Sequence, residues 1–271
     1  MPQTPSDFDV AIAGAGIVGA SVAWHLAGAG LRVAVVDAVG PASAASGASD
    51  GAVSVASKKP GPLARLASAS LLYTRVLSQG GPLAGAFHPR PSYVFGQGEA
   101  ELDAMDALIA KLGQVAGPVR VTADGGRDLL PGLGAGVERL VALDGEGHMP
   151  GHKAVRAYLA RQGITGFWPA PIRAIDPDDR GVTLDLGTQK VRAGQLVLAL
   201  GVSSPQLVPG LPVIPRAGQL FVTDRGPVDA LPGSLTAAAY LLAKTEAPGR
   251  ATLPPVVIDP LYNDFSPLKN K

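Results

Sequence analysis

Three glycines and one carboxylate near the start of the chain have the types and spacing that could bind a dinucleotide. Gly14, Gly16 and Gly19 form a Gly-x-Gly-x-x-Gly sequence, and Asp37 follows about twenty residues later. The first glycine permits a tight turn, the second lets the backbone approach a pyrophosphate, and the third lets a helix pack closely on a strand. The N–H groups at the start of that helix attract phosphate charge. This pattern predicts a dinucleotide site built from backbone groups, with Ala15, Ile17 and Val18 completing the turn.

The elements that must position these residues are a strand, a helix and a second strand over residues 8–37. Asp37 ends the second strand, where a carboxylate accepts hydrogen bonds from the ribose of adenosine. An acid at this position disfavours a 2′-phosphate, and hence NADP.

The same segment has a competing interpretation as a membrane span, because residues 10–31 contain no Lys, Arg, Asp or Glu. Two acids, Asp7 and Asp9, precede the run, and no basic segment stands before it. Glycines within the run would also weaken an isolated helix. We therefore expect no transmembrane segment and no signal segment here.

Composition narrows the class of protein. The chain has 271 residues, of which 46% are hydrophobic and 17% charged, which is typical of a globular protein with one large or two modest domains. A net charge of +1 gives no indication of nucleic-acid binding. The absence of cysteine excludes disulfides, thiolate metal sites, cysteine nucleophiles and cysteinyl-flavin links. His148 and His152 are separated by a proline and a glycine, so they are not expected to share a helical face, and we predict no metal site.

Periodicity along the chain predicts further elements. Helical spacing occurs at residues 63–77, 99–112 and 152–162, and strand patterns occur at residues 92–95, 137–143, 164–168, 181–186, 195–200 and 213–223. The apolar run that ends at Gly201 is typical of a buried parallel strand whose carboxyl end meets a ligand. Residues 39–57 are interpreted as too small and too polar to belong to the core.

Several residues have both a functional and a purely structural interpretation. Backbone N–H groups around Ser46 and its hydroxyl could bind phosphate oxygens, and this is favoured over a flexible linker because the loop directly follows Asp37. Lys58 and Lys59 are interpreted as a solvated pair, although they could place positive charge near a cofactor or a substrate carboxylate. Packing is expected for Trp24 and His25. Surface solvation is favoured over carboxylate binding for Arg216.

Taken together, these motifs resemble the FAD-dependent D-amino-acid oxidase (DAO) family. The loop from Ala45 through Ser46 and Gly47 to Gly51 resembles the family's Ser-Gly-x-x-x-Gly loop, which wraps the pyrophosphate and the ribityl chain. Residues 147–150, Ile172 and Gly201 match later segments of the family, and residues 215–219 match its re-entry into the substrate domain. The run at residues 53–62 resembles the opine-oxidase and cyanide-synthase branch.

The resemblance implies an α/β fold, with a Rossmann-type FAD-binding domain and an interleaved α+β substrate domain. It implies FAD-binding segments at residues 1–78 and 148–205 and substrate-domain segments at residues 79–147 and 206–271. It also implies cofactor contacts at the residues of the glycine turn, Asp37, the 45–51 loop, Ile172 (through its backbone) and Gly201. The implied reaction is oxidation of the CH–NH bond of an amino acid or secondary amine, and no catalytic residue is assigned. Oxygen, a respiratory acceptor and a partner subunit remain open.

One departure from the family concerns the end of the chain. Family members continue for roughly another hundred residues, so we expect the C-terminal part of the substrate domain to be incomplete. A catalytically incompetent fragment that binds FAD or ADP, or that needs a partner chain, is therefore the alternative. An NAD-dependent dehydrogenase is a weaker one. The expected location is the cytoplasm, with peripheral attachment to the inner membrane left open.

Overall fold

The computed structural model describes residues 7–56, 58, 61–112, 119–122, 125–215 and 233–238. The helices within these residues are α1 (Ile17–Gly28), α2 (Pro62–Ser78), α3 (Glu99–Leu112), α4 (Gly151–Leu159) and α5 (Ser204–Leu207), with a 3-10 turn at Gly201–Ser203. The strands are β1 (Phe8–Ala13), β2 (Val33–Val36), β3 (Ala52–Val53), β4 (His88–Pro89), β5 (Ser92–Gly96), β6 (Val119–Thr122), β7 (Arg139–Leu143), β8 (Gly147–His148), β9 (Ile164–Phe167), β10 (Ala174–Asp178), β11 (Gly181–Asp185), β12 (Lys190–Leu198) and β13 (Ser234–Ala237). No helix in the described part of the chain is long and apolar enough to cross a membrane.

The chain divides into two compact units. Unit 1 contains the described residues of Met1–Ser49, Gly80–Ala86 and Pro150–Arg216. Unit 2 contains Asp50–Gln79, Phe87–Met149 and the described residues after 216. The four-segment division predicted from the sequence stays a prediction.

Unit 1 is built on a six-stranded sheet in the order β10-β11-β12-β1-β2-β9. The four strands β12, β1, β2 and β9 run parallel. Strand β11 pairs antiparallel with β12, and β10 pairs antiparallel with β11. Side chains of a strand alternate between its two faces, so Val10 and Ile12 pack in one core cluster and Ala11 packs in another. Burial on both faces explains why β2 and the last four residues of β1 are continuous apolar runs.

Helices α1 and α4 pack against each other in unit 1. Trp24 of α1 lies with its ring centroid 6.0 Å from that of Tyr158 in α4. The guanidinium carbon of Arg161 lies 4.5 Å from the Trp24 ring centroid, which is the geometry of a cation–π contact. The prediction that Trp24 serves in packing is confirmed.

Unit 2 contains a four-stranded sheet in the order β13-β5-β7-β6 and a small three-stranded sheet in the order β3-β8-β4. Helix α3 buries Met105, Leu108 and Leu112, whose three- and four-residue spacing forms one apolar face. Helix α2 buries Ala64, Leu71 and Leu77. The sheets of unit 2 are antiparallel except where β13 joins β5 in parallel.

The predicted α/β class and the parallel sheet behind the glycine turn are confirmed, as are the helices at residues 63–77 and 99–112. The helix predicted at residues 152–162 ends earlier, at Leu159. The reason is tertiary: the carbonyl of Gly163 accepts the N–H of Val33 at 2.9 Å, so the chain has already left the helix to join the sheet. The strand predicted at residues 195–200 begins at Lys190, because its first half pairs with β11 and its second half with β1.

Two regions depart from the predictions made for them. Residues 39–57 do contribute to the core, contrary to expectation, because the side chain of Val55 is only 1% exposed. Of the strand pair predicted at residues 213–223, residues 213–215 are not in a strand, and the rest lies outside the described residues. Lys59 and Arg216 also lie outside them.

Candidate cofactor site

The turn between β1 and α1 can be made only with glycines. Gly14 has φ of +108°, a conformation that residues with a side chain rarely adopt, and its N–H donates to the carbonyl of Val36 at 2.7 Å. A methyl group at Gly14 would overlap the carbonyl of Ala199, which follows β12. A methyl group at Gly19 would overlap the carbonyl of Gly14 itself. The first glycine thus makes the turn, and the third allows α1 to approach it.

Asp37 is held by backbone N–H groups on both carboxylate oxygens. Its Oδ2 atom accepts from the N–H of Ala15 at 2.8 Å. Its Oδ1 atom accepts from the N–H groups of Val39 and Gly40 at 2.9 and 2.8 Å. Because each carboxylate oxygen has two lone-pair sites, Oδ2 can still accept one further hydrogen bond. These bonds orient the carboxylate at the carboxyl end of β2, next to the glycine turn.

Ser46 connects the loop after β2 to the start of α1. Its Oγ atom accepts the N–H of Ile17, the first residue of the helix, at 2.9 Å. The first N–H that bonds within the helix is that of Ala20, to the carbonyl of Gly16 at 2.9 Å. The N–H groups of the intervening residues, Val18 and Gly19, belong to the first turn, where helical geometry offers no partner. They are the groups best placed for an anion.

The same loop packs closely against the first residue of α4. A methyl group at Gly151, the first residue of α4, would overlap the carbonyl of Ser46. The Ser49 hydroxyl donates to that carbonyl at 3.2 Å. The predictions did not include Gly151, because a single glycine after Pro150 is indistinguishable in sequence from an ordinary helix start.

Further predicted residues of this loop are small and close to its own backbone. Ala45 is exposed, and a methyl group at Gly47 would overlap the carbonyl of Ala42. Ala42 has φ of +57°, and no other described non-glycine residue has a positive φ. Such backbone strain concentrates at binding loops.

Ile172 and Gly201 lie at other places in unit 1. Ile172 precedes β10 and packs, partly buried, against a cluster that includes Ala170 and Leu184. Gly201 has φ of +55° and begins the 3-10 turn that follows β12. The structure therefore brings Asp37 and Ser46 into direct contact with the glycine turn. It places Ile172 after β9, the neighbour of β2, and Gly201 after β12, the neighbour of β1.

Gly51, the last predicted residue of the 45–51 loop, belongs to unit 2. It has φ of +75°, and a methyl group there would come within 2.6 Å of Nε2 of His148. His148 is 1% exposed, and its Nε2 lies 3.1 Å from the carbonyl oxygen of Asp50. The N–H of Met149 donates to the carbonyl of Gly51 at 2.8 Å. His148 is thus a buried residue that shapes the loop around Gly51, a role its sequence context did not indicate.

The chain after Gly51 is held by two ionisable side chains. Glu146 is 3% exposed, and its Oε1 atom accepts from the N–H groups of Val55 and Ala56 at 2.7 and 3.0 Å. The Nζ atom of Lys111 donates to the carbonyls of Ala56 and Lys58 at 2.7 and 2.8 Å. No pattern in the sequence indicates either residue, because their partners lie far away along the chain.

The residues of unit 1 fit the pyrophosphate and ribose of a dinucleotide. The glycine turn brings bare backbone to the start of a helix, and an oriented carboxylate stands beside it. No group of three or more His, Cys, Asp or Glu side chains suited to a metal ion occurs among the described residues.

A family model described as "FAD dependent oxidoreductase" matches residues 9–252, which include every element of unit 1 after the first residue of β1. The chain belongs to the DAO family. The predicted family and its FAD cofactor are therefore confirmed.

Three relatives of this DAO-family chain share 19% to 30% sequence identity with it. It is 30% identical over 230 residues to the tRNA 5-methylaminomethyl-2-thiouridine biosynthesis bifunctional protein MnmC of Maricaulis maris (strain MCS10), a match that covers 82% of this chain and 34% of that protein. The glycine oxidase of Geobacillus kaustophilus superposes with a TM-score of 0.72 at 22% identity, over 85% of this chain and 66% of the oxidase. The L-amino acid deaminase of Proteus myxofaciens superposes with a TM-score of 0.70 at 19% identity, over 88% of this chain and 56% of the deaminase. The chain thus spans about a third of the first relative and less than two thirds of the two enzymes of known structure.

Proposed function

We propose that this chain carries the FAD-binding part of an enzyme that oxidises the CH–NH bond of an amino acid or secondary amine. The observation that carries the proposal is the contact between the glycine turn, Asp37 and Ser46 at the start of α1. In a member of a FAD-dependent family, this arrangement suits the adenosine diphosphate half of the cofactor.

Each group has a defined part in the proposed binding. The N–H groups of Val18 and Gly19 donate to the pyrophosphate, and the bare backbone of Gly16 lets the phosphate come close. The remaining lone-pair site on Oδ2 of Asp37 accepts from a ribose hydroxyl, and three backbone donors already fix the orientation of this carboxylate. The Ser46 loop covers the start of α1 and is supported by Gly151.

FAD, when bound, supplies the acceptor for the two electrons that leave the substrate. The protein's task is then to hold the substrate and to shield it from water. The 51–58 segment, which Glu146 and Lys111 hold in place, is the part of unit 2 that directly follows the binding loop along the chain. We assign no catalytic residue.

The substrate class is supported by the names of the related proteins. Glycine oxidase and L-amino acid deaminase both act on an amino acid, and the name of the MnmC protein contains a methylaminomethyl group, which is a secondary amine. Each of the three names refers to a compound or group in which a carbon is bonded to an amine nitrogen. An amino acid or small secondary amine is therefore proposed as substrate.

The experiment begins with the purified full chain, whose visible absorbance reports bound flavin. The flavin should then bleach anaerobically with glycine, sarcosine, proline, a D-amino acid or an opine. Lactate and glycerol 3-phosphate, which offer CH–OH bonds, serve as matched controls and should leave the flavin oxidised. Bleaching by the hydroxyl compounds alone would contradict the proposed substrate class.

The same measurement separates the alternatives. A chain that binds FAD but bleaches only with an aminomethyl-modified tRNA nucleoside would point to a substrate like that in the name of the MnmC protein. A colourless chain that binds ADP would favour the non-catalytic alternative or the need for a partner chain. A chain that binds NADH and no flavin would overturn the proposal.

A further inference from the structure

Trp168 lies at the edge of the sheet where the predicted ribose acceptor stands. It follows β9, which is the parallel neighbour of β2. The residues on either side of the Trp168–Pro169 pair both bond to the main chain of Asp37. The carbonyl of Phe167 accepts the N–H of Asp37 at 3.0 Å, and the N–H of Ala170 donates to the Asp37 carbonyl at 2.9 Å. Trp168 is thereby tied to the end of β2.

The indole ring has a fixed position at this edge. It covers Gly166, where a methyl group would overlap the six-membered ring. Its Cδ1 atom lies 3.9 Å from the place a methyl group would occupy at Gly40, in ordinary van der Waals range. Gly40 in turn donates its N–H to Oδ1 of Asp37 at 2.8 Å. The ring therefore lies near a residue whose N–H binds the carboxylate.

A second exposed apolar residue contacts the same carboxylate through its backbone N–H. Val39 is 69% exposed, and its N–H donates to Oδ1 of Asp37. Trp168 is 39% exposed, although indole is among the most apolar side chains by area. Isolated exposed apolar residues are common and need no explanation. Here both belong to segments whose backbone bonds to Asp37, and such exposed apolar area suits a flat, partly apolar ring.

We propose that Trp168, with Val39 beside it, is the surface against which the adenine ring of FAD lies. This inference rests on the proposed binding of the FAD ribose by Asp37. Adenine is joined to that ribose by a single bond, so the base must lie close to the carboxylate that binds the sugar. Nucleobases stack on aromatic side chains because both present π faces. Trp168 is thus an affinity determinant for the adenine half of the cofactor.

Two tryptophans make the inference directly measurable, because the chain contains only Trp24 and Trp168. In the Trp24→Phe variant all indole emission comes from Trp168. Titration with AMP or ADP should quench and shift that emission, whereas FMN, which lacks adenosine, should leave it unchanged apart from absorption by the flavin. The matched control is Trp168→Phe, whose remaining Trp24 packs on Tyr158 and Arg161 and should not respond to ADP.

Affinity supplies the second measurement. Trp168→Ala should raise the Kd for FAD and for ADP by about tenfold and leave the Kd for FMN unchanged, since only the adenine contact is lost. Trp168→Phe should retain most of the affinity, and Trp24→Phe should change it less than twofold.

The outcomes separate the two proposals. FAD that binds equally well to the wild type and to Trp168→Ala, or ADP that binds without altering Trp168 emission, would overturn the adenine surface and leave the FAD proposal intact. Quenching of Trp168 by ADP in a chain that takes up no flavin would do the reverse. If Trp168→Ala fails to fold, the titration of Trp24→Phe still decides, because it keeps Trp168 in place.

Discussion

Units 1 and 2 each hold a loop in a defined shape, but they do so with different chemistry. In unit 1 the side chains of Asp37 and Ser46 accept backbone N–H groups from the glycine turn, 22 and 29 positions away, and the close approaches of backbone to backbone require glycine. In unit 2 the buried side chain of His148 contacts the backbone of Asp50, and that of Glu146 accepts the N–H groups of Val55 and Ala56, at sequence separations of 90 to 98 positions. The first arrangement leaves a pattern in the sequence, and the second does not.

This difference determines which substitutions each unit should tolerate. Backbone packed on backbone cannot move aside, so unit 1 should fail sharply when a side chain is added at a close approach. A buried carboxylate that holds N–H groups can be replaced only at the cost of leaving those donors without acceptors. Unit 2 should therefore fail when a side chain is removed.

The largest effect is expected for Gly19→Val, since the new side chain would overlap the carbonyl of Gly14. We expect destabilisation of at least about 3 kcal/mol and loss of FAD binding. Urea unfolding and flavin absorbance measure the two effects. Gly28→Ala is the control in the same helix, where the added methyl group meets only the flexible guanidinium of Arg161, and it should be neutral or stabilising. Equal losses for both variants would contradict a close approach specific to Gly19.

Glu146→Ala should destabilise the protein by about 3 kcal/mol, because two buried N–H groups lose their acceptor. Glu146→Gln keeps one acceptor oxygen and should lose less. The control is Glu138→Ala: this exposed glutamate also accepts a backbone N–H, that of Gly98 at 2.8 Å, and should cost below about 1 kcal/mol. Unfolding by urea measures all three, and a Glu138 effect as large as that of Glu146 would remove burial as the cause.

Acid should expose a smaller contribution in unit 2. The side-chain hydrogen bond from Arg120 holds the pKa of Asp144 below its ordinary value of about 3.9. Because the folded pKa is the lower one, the stabilisation is fully present above the unfolded value and is lost as the pH falls through the folded value. Asp144→Asn should therefore cost under about 1 kcal/mol at pH 7, and this cost should vanish in strong acid.

The pH dependence of urea unfolding for Asp144→Asn and the wild type tests this sign. Asp103→Asn, at an exposed position of α3, is the control and should show a flat difference. A cost that grows as the pH falls would mean that the Arg120 pairing has the opposite linkage.

The smallest effect concerns the strained loop of unit 1. Ala42→Gly should stabilise by about 0.5 kcal/mol, because relief of the left-handed conformation at φ of +57° slightly exceeds the added entropy of glycine. Ala38→Gly in the same loop has no such strain to relieve and should destabilise. Thermal unfolding distinguishes the two, and a loss at both positions would show that Ala42 is not strained.

The sequence alone determined the strand–helix–strand at the start, the glycine turn, Asp37 at the end of β2 and the likeness of the 45–51 loop to the DAO family. These features are visible as local patterns, because the partners of their residues lie in neighbouring turns and strands. The adenine contact of Ile172 came from the resemblance, and Gly201 came from the resemblance and from the apolar run that ends there; the cofactor contacts of both stay predictions.

Tertiary contacts set the ends of α4 and β12, the burial of Val55, the roles of Gly151, Glu146 and Lys111, and the position of Trp168. The physical reason is the same in each case. A helix gives way where a sheet takes its next residue, a glycine is required where another segment's carbonyl approaches, and a carboxylate is buried where distant N–H groups need an acceptor. Such demands arise between segments far apart in the chain, so no local pattern of residues records them.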